Sequence, residues 1–216
     1  SLVREARLFL KDHPTHEKAS LARYRLAGAL YELGRLEEAR PEYAALSATD
    51  GFEFAGEVSL RLGPCELARE GLDAAQAAFE RVLARGQSYL TTPATFLLGE
   101  TLFRRTDFAG AEKNYTKVVA ASDAADFARE AEHALVWCAF QTKRWDDAQQ
   151  RAQRFLERYA DDARKDEVAW IAGESALDAG RAEQAAQWFA RVGEGNWHPD
   201  ALRGAFALAP LAILYE

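Results

Sequence analysis

The sequence has no methionine and only two cysteines among its 216 residues. Because Ser1 is therefore not a translation start, we expect a processed chain or a piece of a longer protein. Two cysteines are too few for the disulfide-rich class of small secreted proteins. Cys65 and Cys138 are far apart in the sequence, and we expect both to be buried free thiols.

Long apolar runs and an excess of basic residues are also absent. No run approaches the roughly 18 apolar residues that a membrane-spanning helix needs, so we expect no membrane insertion. Acidic residues number 34 against 27 basic ones, for a formal charge of −7. Binding to nucleic acid is not expected, because it needs a concentrated basic surface. The nearest candidate, Arg151, Arg154 and Arg158, is interleaved with acids and is typical of a solvated helix face.

Catalytic and cofactor motifs are missing as well. The sequence has no Gly-rich phosphate loop, no His-Glu-x-x-His and no Gly-x-Ser-x-Gly. His13 and His16 flank Pro14, so their spacing does not hold them on one helix face as a metal pair. We therefore predict no catalytic residues, no metal site and no cofactor.

What the sequence does contain is a small residue followed four positions later by an aromatic one, repeated along the chain. The pairs are Ala39 with Tyr43, Ala75 with Phe79, Ala111 with Tyr115, and Ala185 with Phe189. With Ala148 included, the alanines recur at intervals of 36, 36, 37 and 37 residues. Such a period is typical of stacked helical repeats.

Around these pairs the chain resembles the tetratricopeptide repeat (TPR) family. The third repeat shows the pattern best, with Leu98-Gly99, Leu102 and Ala111-x-x-x-Tyr115. We expect Gly99 and Ala111 to face each other where two helices cross, with Tyr115 filling the space beside them. The resemblance implies an all-α, right-handed solenoid of about five TPR hairpins over residues 1–216, with a half-hairpin at each end.

Helix boundaries follow from local signals. Breaks are predicted near 12–18, 47–52, 86–92, 121–126, 160–165 and 193–199, and tight turns near 34, 71, 106, 143 and 180. Thr92-Pro93 is typical of a helix start. Pro64 is expected to kink or break its helix. The second and fourth hairpins are expected to be the least regular, the fourth because Val136 and Ala152 replace the usual glycine and aromatic residue.

In the TPR fold the first helix of each hairpin lines a concave groove, and here that face is rich in aromatic residues. Such residues dominate binding energy at many interfaces, so we predict a partner site there. The predicted site residues are Tyr24, Tyr31, Phe96, Glu100, Phe103, His133, Trp137, Trp170 and Glu174, with Phe140 and Leu177 beside them. Alternatively, several of these rings pack between neighbouring first helices as core.

These features predict a non-catalytic scaffold that binds a peptide or helix of a protein partner. Some TPR domains of co-chaperones bind the C-terminal carboxylate of a peptide through Lys, Arg and Asn on their inner face. Here the corresponding positions hold Glu100, Trp137 and Glu174, so this kind of binding is disfavoured. The segment from Phe155 to Ala190 resembles TPR proteins of the Gram-negative envelope, the outer-membrane assembly lipoprotein and the Tol-Pal-associated coordinator. Arginine exceeds lysine 21 to 6, as in high-GC bacteria. A periplasmic or envelope assembly is thus expected; the alternative is a cytoplasmic sensor domain that binds a signalling peptide and regulates an attached effector.

Overall fold

The computed structural model describes residues 2–49, 51–121 and 125–192, and throughout these ranges the regular secondary structure is α-helical. The helices are α1 (Leu2–Asp12), α2 (Ala19–Glu32), α3 (Leu36–Ser47), α4 (Ala55–Leu67), α5 (Leu72–Arg85), α6 (Ser88–Arg104), α7 (Phe108–Ala120), α8 (Ala125–Gln141), α9 (Trp145–Arg158), α10 (Lys165–Asp178) and α11 (Ala182–Phe189). The predicted fold class, an all-α solenoid of TPR hairpins, is confirmed. The predicted half-hairpin at 199–216 lies outside the described residues.

The chain divides into two compact units, and the boundary falls within α6 after Thr101. In the first unit, each of α1 to α4 packs on the next helix in sequence. In the second unit, each of α7 to α10 does the same, and α8 also contacts α10. First helices of successive hairpins are therefore neighbours in the second unit, which is the arrangement that positions the candidate site. That all residues form one continuous array stays a prediction.

Each of the five hairpin turns contains one residue in the left-handed conformation. These residues are Gly34, Glu70, Thr106, Lys143 and Gly180, with φ between 58° and 76°. At Gly34, the Gly34 N–H donates to the Tyr31 carbonyl and the Arg35 N–H to the Leu30 carbonyl. This is the Schellman motif, and its hydrogen-bond pattern recurs at the other four turns. The predicted tight turns are thereby confirmed at all five positions.

Glycines in the first helices make room for aromatic rings of the second helices. A Cβ atom at Gly173 would lie 2.6 Å from Phe189 Cδ1 and closer still to Cε1. A Cβ atom at Gly63 would lie 2.9 Å from Phe79 Cε2 and closer still to Cζ. In these two hairpins the glycine therefore faces the aromatic ring of the second helix. That Gly99 and Ala111 face each other in the third hairpin stays a prediction.

The fourth hairpin reverses this arrangement. Val136 stands at the glycine position of α8 and Ala152 at the aromatic position of α9, and both are fully buried in one hydrophobic cluster. In this hairpin the larger side chain is on the first helix and the smaller one on the second. This hairpin has the same type of turn as the others, with Lys143 in the left-handed conformation. The expectation that it would be less regular is not supported.

The prediction of a helix start at Thr92-Pro93 is wrong, and of the two outcomes predicted at Pro64, a kink or a break, the break does not occur. Helix α4 continues through Pro64, which lies in its last turn, to Leu67, and a kink there stays a prediction. Helix α6 begins at Ser88, before Thr92 and Pro93. Leu90 is buried against Val82, and this burial extends the helix toward its N-terminus, beyond the local start signal.

Both cysteines are buried free thiols, as predicted. Burial raises the pKa of the Cys65 thiol to about 12. A thiol with such a pKa stays neutral at physiological pH and packs as a small apolar group. Cys65 belongs to the hydrophobic cluster of the first unit, together with Leu26, Tyr43 and Leu62.

Candidate functional site

The predicted site residues fall into both units, and each unit presents its own set. Tyr24, Tyr31, Phe96 and Glu100 belong to the first unit, and Phe103, His133, Trp137, Trp170 and Glu174 to the second. Their exposure differs widely. Tyr31, Phe96, Glu100, His133 and Trp137 are buried, whereas Tyr24, Phe103, Trp170 and Glu174 are half-buried.

In the first unit, Tyr24 belongs to a cluster of three aromatic rings. It stacks on Phe54, with ring centroids 5.0 Å apart and planes 6° apart, and meets Phe52 edge-on at 5.8 Å. Phe52 and Phe54 lie in the connection before α4, so helical periodicity gave no signal for them. Tyr24 thus lies partly exposed at the entry of the second hairpin.

Tyr31 lies deeper, and a cation covers it. The Arg61 guanidinium lies over the Tyr31 ring at 5.5 Å, and Arg61 Nη1 is 3.3 Å from Glu32 Oε1. Because the ring is 1% exposed, Tyr31 acts as core of the first unit. A partner approaching there would meet Arg61 and Glu32 first.

In the second unit, a buried carboxylate joins α8 to α10. Glu167 Oε1 accepts a hydrogen bond from Trp137 Nε1 at 2.7 Å and lies 3.1 Å from His133 Nε2. All three side chains are less than 10% exposed. A buried carboxylate is stable only where donors satisfy it, and the indole N–H is donor-only, so its role here is fixed. His133 and Trp137 therefore form part of the packing between first helices.

Above this buried group lies a surface that is still accessible, formed by Phe140, Trp170 and Leu177. We call it the aromatic face. The Phe140 and Trp170 rings are 6.4 Å apart, and Phe140 also contacts Trp137 at 5.8 Å and Trp145 at 5.7 Å. Phe140 and Trp170 are half-buried, and Leu177 is 46% exposed. An apolar surface supported from below in this way is preorganised, and a ligand that covers it removes further apolar area from water.

Glu174 lies between Trp170 and Leu177 along α10. Burial, together with the nearby Asp178 carboxylate, raises the pKa of Glu174. In the described ranges, neither Glu174 nor Asp178 forms an ion pair with a basic side chain. By contrast, Glu130 and Glu132 of α8 pair with Arg164 and Arg158. The aromatic face is therefore bordered by acids that lack a counter-charge within the described structure.

The second helices carry a different, neutralised surface. Glu112 of α7 accepts hydrogen bonds from Arg144 at 2.5 Å and from Arg151 at 2.7 Å, and Asp147 pairs with both arginines at 2.9 Å. Arg158 also has an acidic partner, Glu132. Pairing of this kind leaves little free positive charge at Arg151 and Arg158, in agreement with the solvated face that the sequence predicts.

Metal chemistry finds no support among the described residues, where no group of three His, Cys, Asp or Glu side chains could hold an ion. Helix α1 ends at Asp12, and the rings of His13 and His16 each lie 5.4 Å from Phe9. His16 Nδ1 accepts a hydrogen bond from the Lys18 N–H. Among all the described residues, no helix is long and apolar enough to cross a membrane.

Comparison of the sequence with protein-family models finds one family that matches most of the chain. The family model for the tetratricopeptide repeat matches residues 5–51, 60–126 and 133–196. A comparison of the sequence with curated proteins gives no significant match. The narrower resemblance to envelope lipoproteins and the Tol-Pal coordinator receives no support from these findings.

Several solved structures have a similar fold. A MamA protein (MSR-1) is 19% identical, with a TM-score of 0.69, over 82% of this chain and 95% of that chain. YrrB, described as a TPR protein with an unusual peptide-binding site, is 18% identical, with a TM-score of 0.69, over 94% and 97% of the two chains. A TPR protein from Parabacteroides merdae is 10% identical, with a TM-score of 0.61, over 97% and 91%. At these identities the likeness concerns the fold alone.

Proposed function

We infer the function of this chain from its family, because the chain belongs to the tetratricopeptide repeat family. TPR proteins are protein-interaction scaffolds, and their stacked hairpins present extended binding surfaces. We propose that this chain is a non-catalytic scaffold that binds a peptide or helix of a partner protein in the groove lined by its first helices. The description of YrrB as having a peptide-binding site is consistent with such a role for this fold.

The observation that carries the proposal is the aromatic face of the second unit. Trp170 and Phe140 remain half-exposed although they pack on the hydrophobic cluster beneath them. Interfaces are enriched in aromatic anchors of this kind, which supply large contact areas at a small cost in side-chain entropy. Of the predicted site residues, Trp170 and Glu174 therefore form the centre of the proposed site, and the buried Trp137 packs against Phe140 beside them.

The proposal includes a location. We place the partner in a bacterial envelope assembly, because the excess of arginine over lysine and the segment from Phe155 to Ala190 favour that setting. The proposed location rests on the sequence alone, and identifying the partner would test it. Fractionation of the source cell, with an antibody against the chain, distinguishes periplasmic from cytoplasmic material.

The test uses Trp170→Ala, with Arg154→Ala as its matched control. Arg154 is exposed on the second helix α9, away from the aromatic face. A partner captured from an envelope fraction is identified by mass spectrometry and then titrated with the wild-type chain and both variants. We expect Trp170→Ala to weaken binding by about 2 kcal/mol, roughly 30-fold, and Arg154→Ala to leave it unchanged.

Circular dichroism at the titration temperature shows whether each variant is folded. If Trp170→Ala stays helical and binds the partner as tightly as the wild type, the aromatic face is not the binding site. Loss of binding on Arg154→Ala alone would move the site to the second helices.

A further inference from the structure

Helix α10 places an acidic pair beside the aromatic face. Trp170, Glu174 and Asp178 follow one another at four-residue spacing, and Leu177 lies three residues after Glu174. Residues three and four apart in a helix are neighbours on its surface. One strip of α10 thus presents an aromatic ring, then a carboxylate, then an exposed leucine and a second carboxylate.

Glu174 stands out from the other half-buried acids of the second unit. Glu112, Glu130, Glu132, Asp147 and Asp162 are all paired with arginines. No arginine or lysine of the described residues forms such a pair with Glu174 or Asp178. Yet Glu174 is half-buried, so its charge is partly removed from water and lies close to a like charge. Partial burial and the nearby Asp178 carboxylate both destabilise the ionised form of Glu174, and a cation of a partner would offset this destabilisation.

Trp170 strengthens the preference for a cation. The face of an indole ring attracts ammonium and guanidinium groups, and the attraction grows when the cation is also taken out of water. A lysine or arginine placed between Trp170 and Glu174 would contact the ring with its stem and the carboxylate with its head. An acidic segment would instead meet repulsion from Glu174 and Asp178.

We propose that the segment bound on the aromatic face is a basic amphipathic one, with an apolar anchor on Phe140 and Trp170 and a lysine or arginine about one helical turn away against Glu174 and Asp178. This inference rests on the proposed function, because it names the chemistry of the partner at that same site. It adds a requirement for positive charge that an apolar groove alone does not impose.

The experiment uses a phage library of random 16-residue peptides as the probe. The library is selected on the wild-type chain after depletion on Trp170→Ala, which removes peptides that bind elsewhere. We expect the enriched sequences to carry Lys or Arg three or four residues from an aromatic residue or leucine. One enriched peptide is then synthesised and titrated with the wild type, Glu174→Gln and Glu183→Gln.

Glu183→Gln is the matched control, because it removes the same charge from an exposed position on α11. We expect Glu174→Gln to weaken the peptide about threefold to tenfold, Glu183→Gln to leave it unchanged, and added salt to weaken the wild-type complex more than the Glu174→Gln complex. Replacing the basic residue of the peptide with glutamine should remove the difference between the wild type and Glu174→Gln.

The outcomes separate this inference from the proposed function. Enriched peptides that are apolar but lack basic residues, or equal affinities for Glu174→Gln and Glu183→Gln, overturn the inference and leave the proposed function standing. A library that shows no enrichment on the wild type over Trp170→Ala overturns the proposed function, and the inference with it.

Discussion

Gly173 of α10 lies directly beneath the ring of Phe189 of α11, with no room for even a methyl group between them. The same relationship holds between Gly63 and Phe79 in the second hairpin. Each glycine lets a ring approach the backbone of the preceding helix, so the pair fixes how far the two helices slide along each other. Overfilling such a contact forces side chains or backbone to move.

We therefore expect Gly173→Ala to destabilise the chain by about 1–3 kcal/mol, although alanine favours a helix more than glycine does. Gly28→Ala is the matched control, because a Cβ atom there would lie 3.6 Å from Arg61 Nη1, at an ordinary contact distance. Gly28→Ala should stabilise the chain by about 0.5–1 kcal/mol through helix propensity. Urea denaturation measures both, and equal effects would show that Phe189 does not pack as described.

The turn after α6 places a β-branched residue in the left-handed conformation, with Thr106 at φ 62°. This conformation costs a threonine about 1–2 kcal/mol relative to glycine, while glycine adds entropy to the unfolded chain. Thr106→Gly should therefore raise the free energy of unfolding by about 0.5–1 kcal/mol.

The converse control is Gly34→Ala in the first turn, where φ is 71°. It should lower the free energy of unfolding by about 1 kcal/mol, because alanine must adopt the strained conformation. A decrease in urea midpoint for Thr106→Gly would mean that the threonine side chain contributes contacts that outweigh its backbone strain.

Trp137 donates the hydrogen bond that satisfies buried Glu167. Trp137→Phe keeps most of the ring but removes the donor, and we expect a loss of about 1–3 kcal/mol. Trp145→Phe is the control, because Trp145 is half-buried beside Phe140. This substitution should lower the free energy of unfolding by less than about 1 kcal/mol. Thermal unfolding compares them, and equal losses would show that the buried bond contributes little.

The exposed carboxyl of Glu38 lies between two arginines. Its oxygens accept hydrogen bonds from the Arg35 guanidinium at 2.7 Å and from Arg7 Nη2 at 2.6 Å, and these bonds lower the pKa of Glu38 from 4.5 to about 2. A lowered pKa in the folded state stabilises the protein above pH 4.5, and this contribution disappears as pH falls through about 2.

NMR titration of the Glu38 carboxyl carbon tests this directly. We expect Arg35→Ala to raise the pKa of Glu38 most and Arg7→Ala to raise it less, in the order of their contributions. Arg4→Ala is the control, since Arg4 lies on α1 with Arg7 but forms no ion pair with Glu38. A pKa of Glu38 that stays near 4.5 in the wild-type chain would exclude the bonded arrangement in solution.

The period of the alanines predicted the helices and turns correctly, because a small residue, a turn and a second small residue return at nearly fixed distances. Local signals were less reliable, since the burial of Leu90 outweighed the start signal at Thr92-Pro93. The Val136–Ala152 exchange was recognisable as a departure from the pattern. Only the burial of Val136 and Ala152 in one cluster shows that the exchange conserves the packing.

The candidate site was less accessible to sequence reasoning. Trp137 and Trp170 both occupy inner positions of first helices, and only the structure distinguishes the buried ring from the half-exposed one. Glu167 gave no signal, because an acid in the first turn of a helix is ordinarily a solvated group that favours the helix dipole. Its role depends on Trp137 and His133, 30 and 34 residues away, and a single sequence does not reveal that pairing.

The left-handed turn residue also determines where the chain tolerates changes in length. In all five hairpins the alanine of the second helix lies five positions after this residue, and the glycine position of the first helix, which holds Val136 in the fourth hairpin, lies seven positions before it. The change from 36 to 37 residues therefore falls between the alanine of one second helix and the glycine position of the next first helix. The stretch from the glycine position of a first helix to the alanine of its second helix thus has the same length in every hairpin, and an insertion or deletion within it would shift one helix against the other. An epitope tag belongs in an exposed connection such as 13–18, between α1 and α2, and not in a turn.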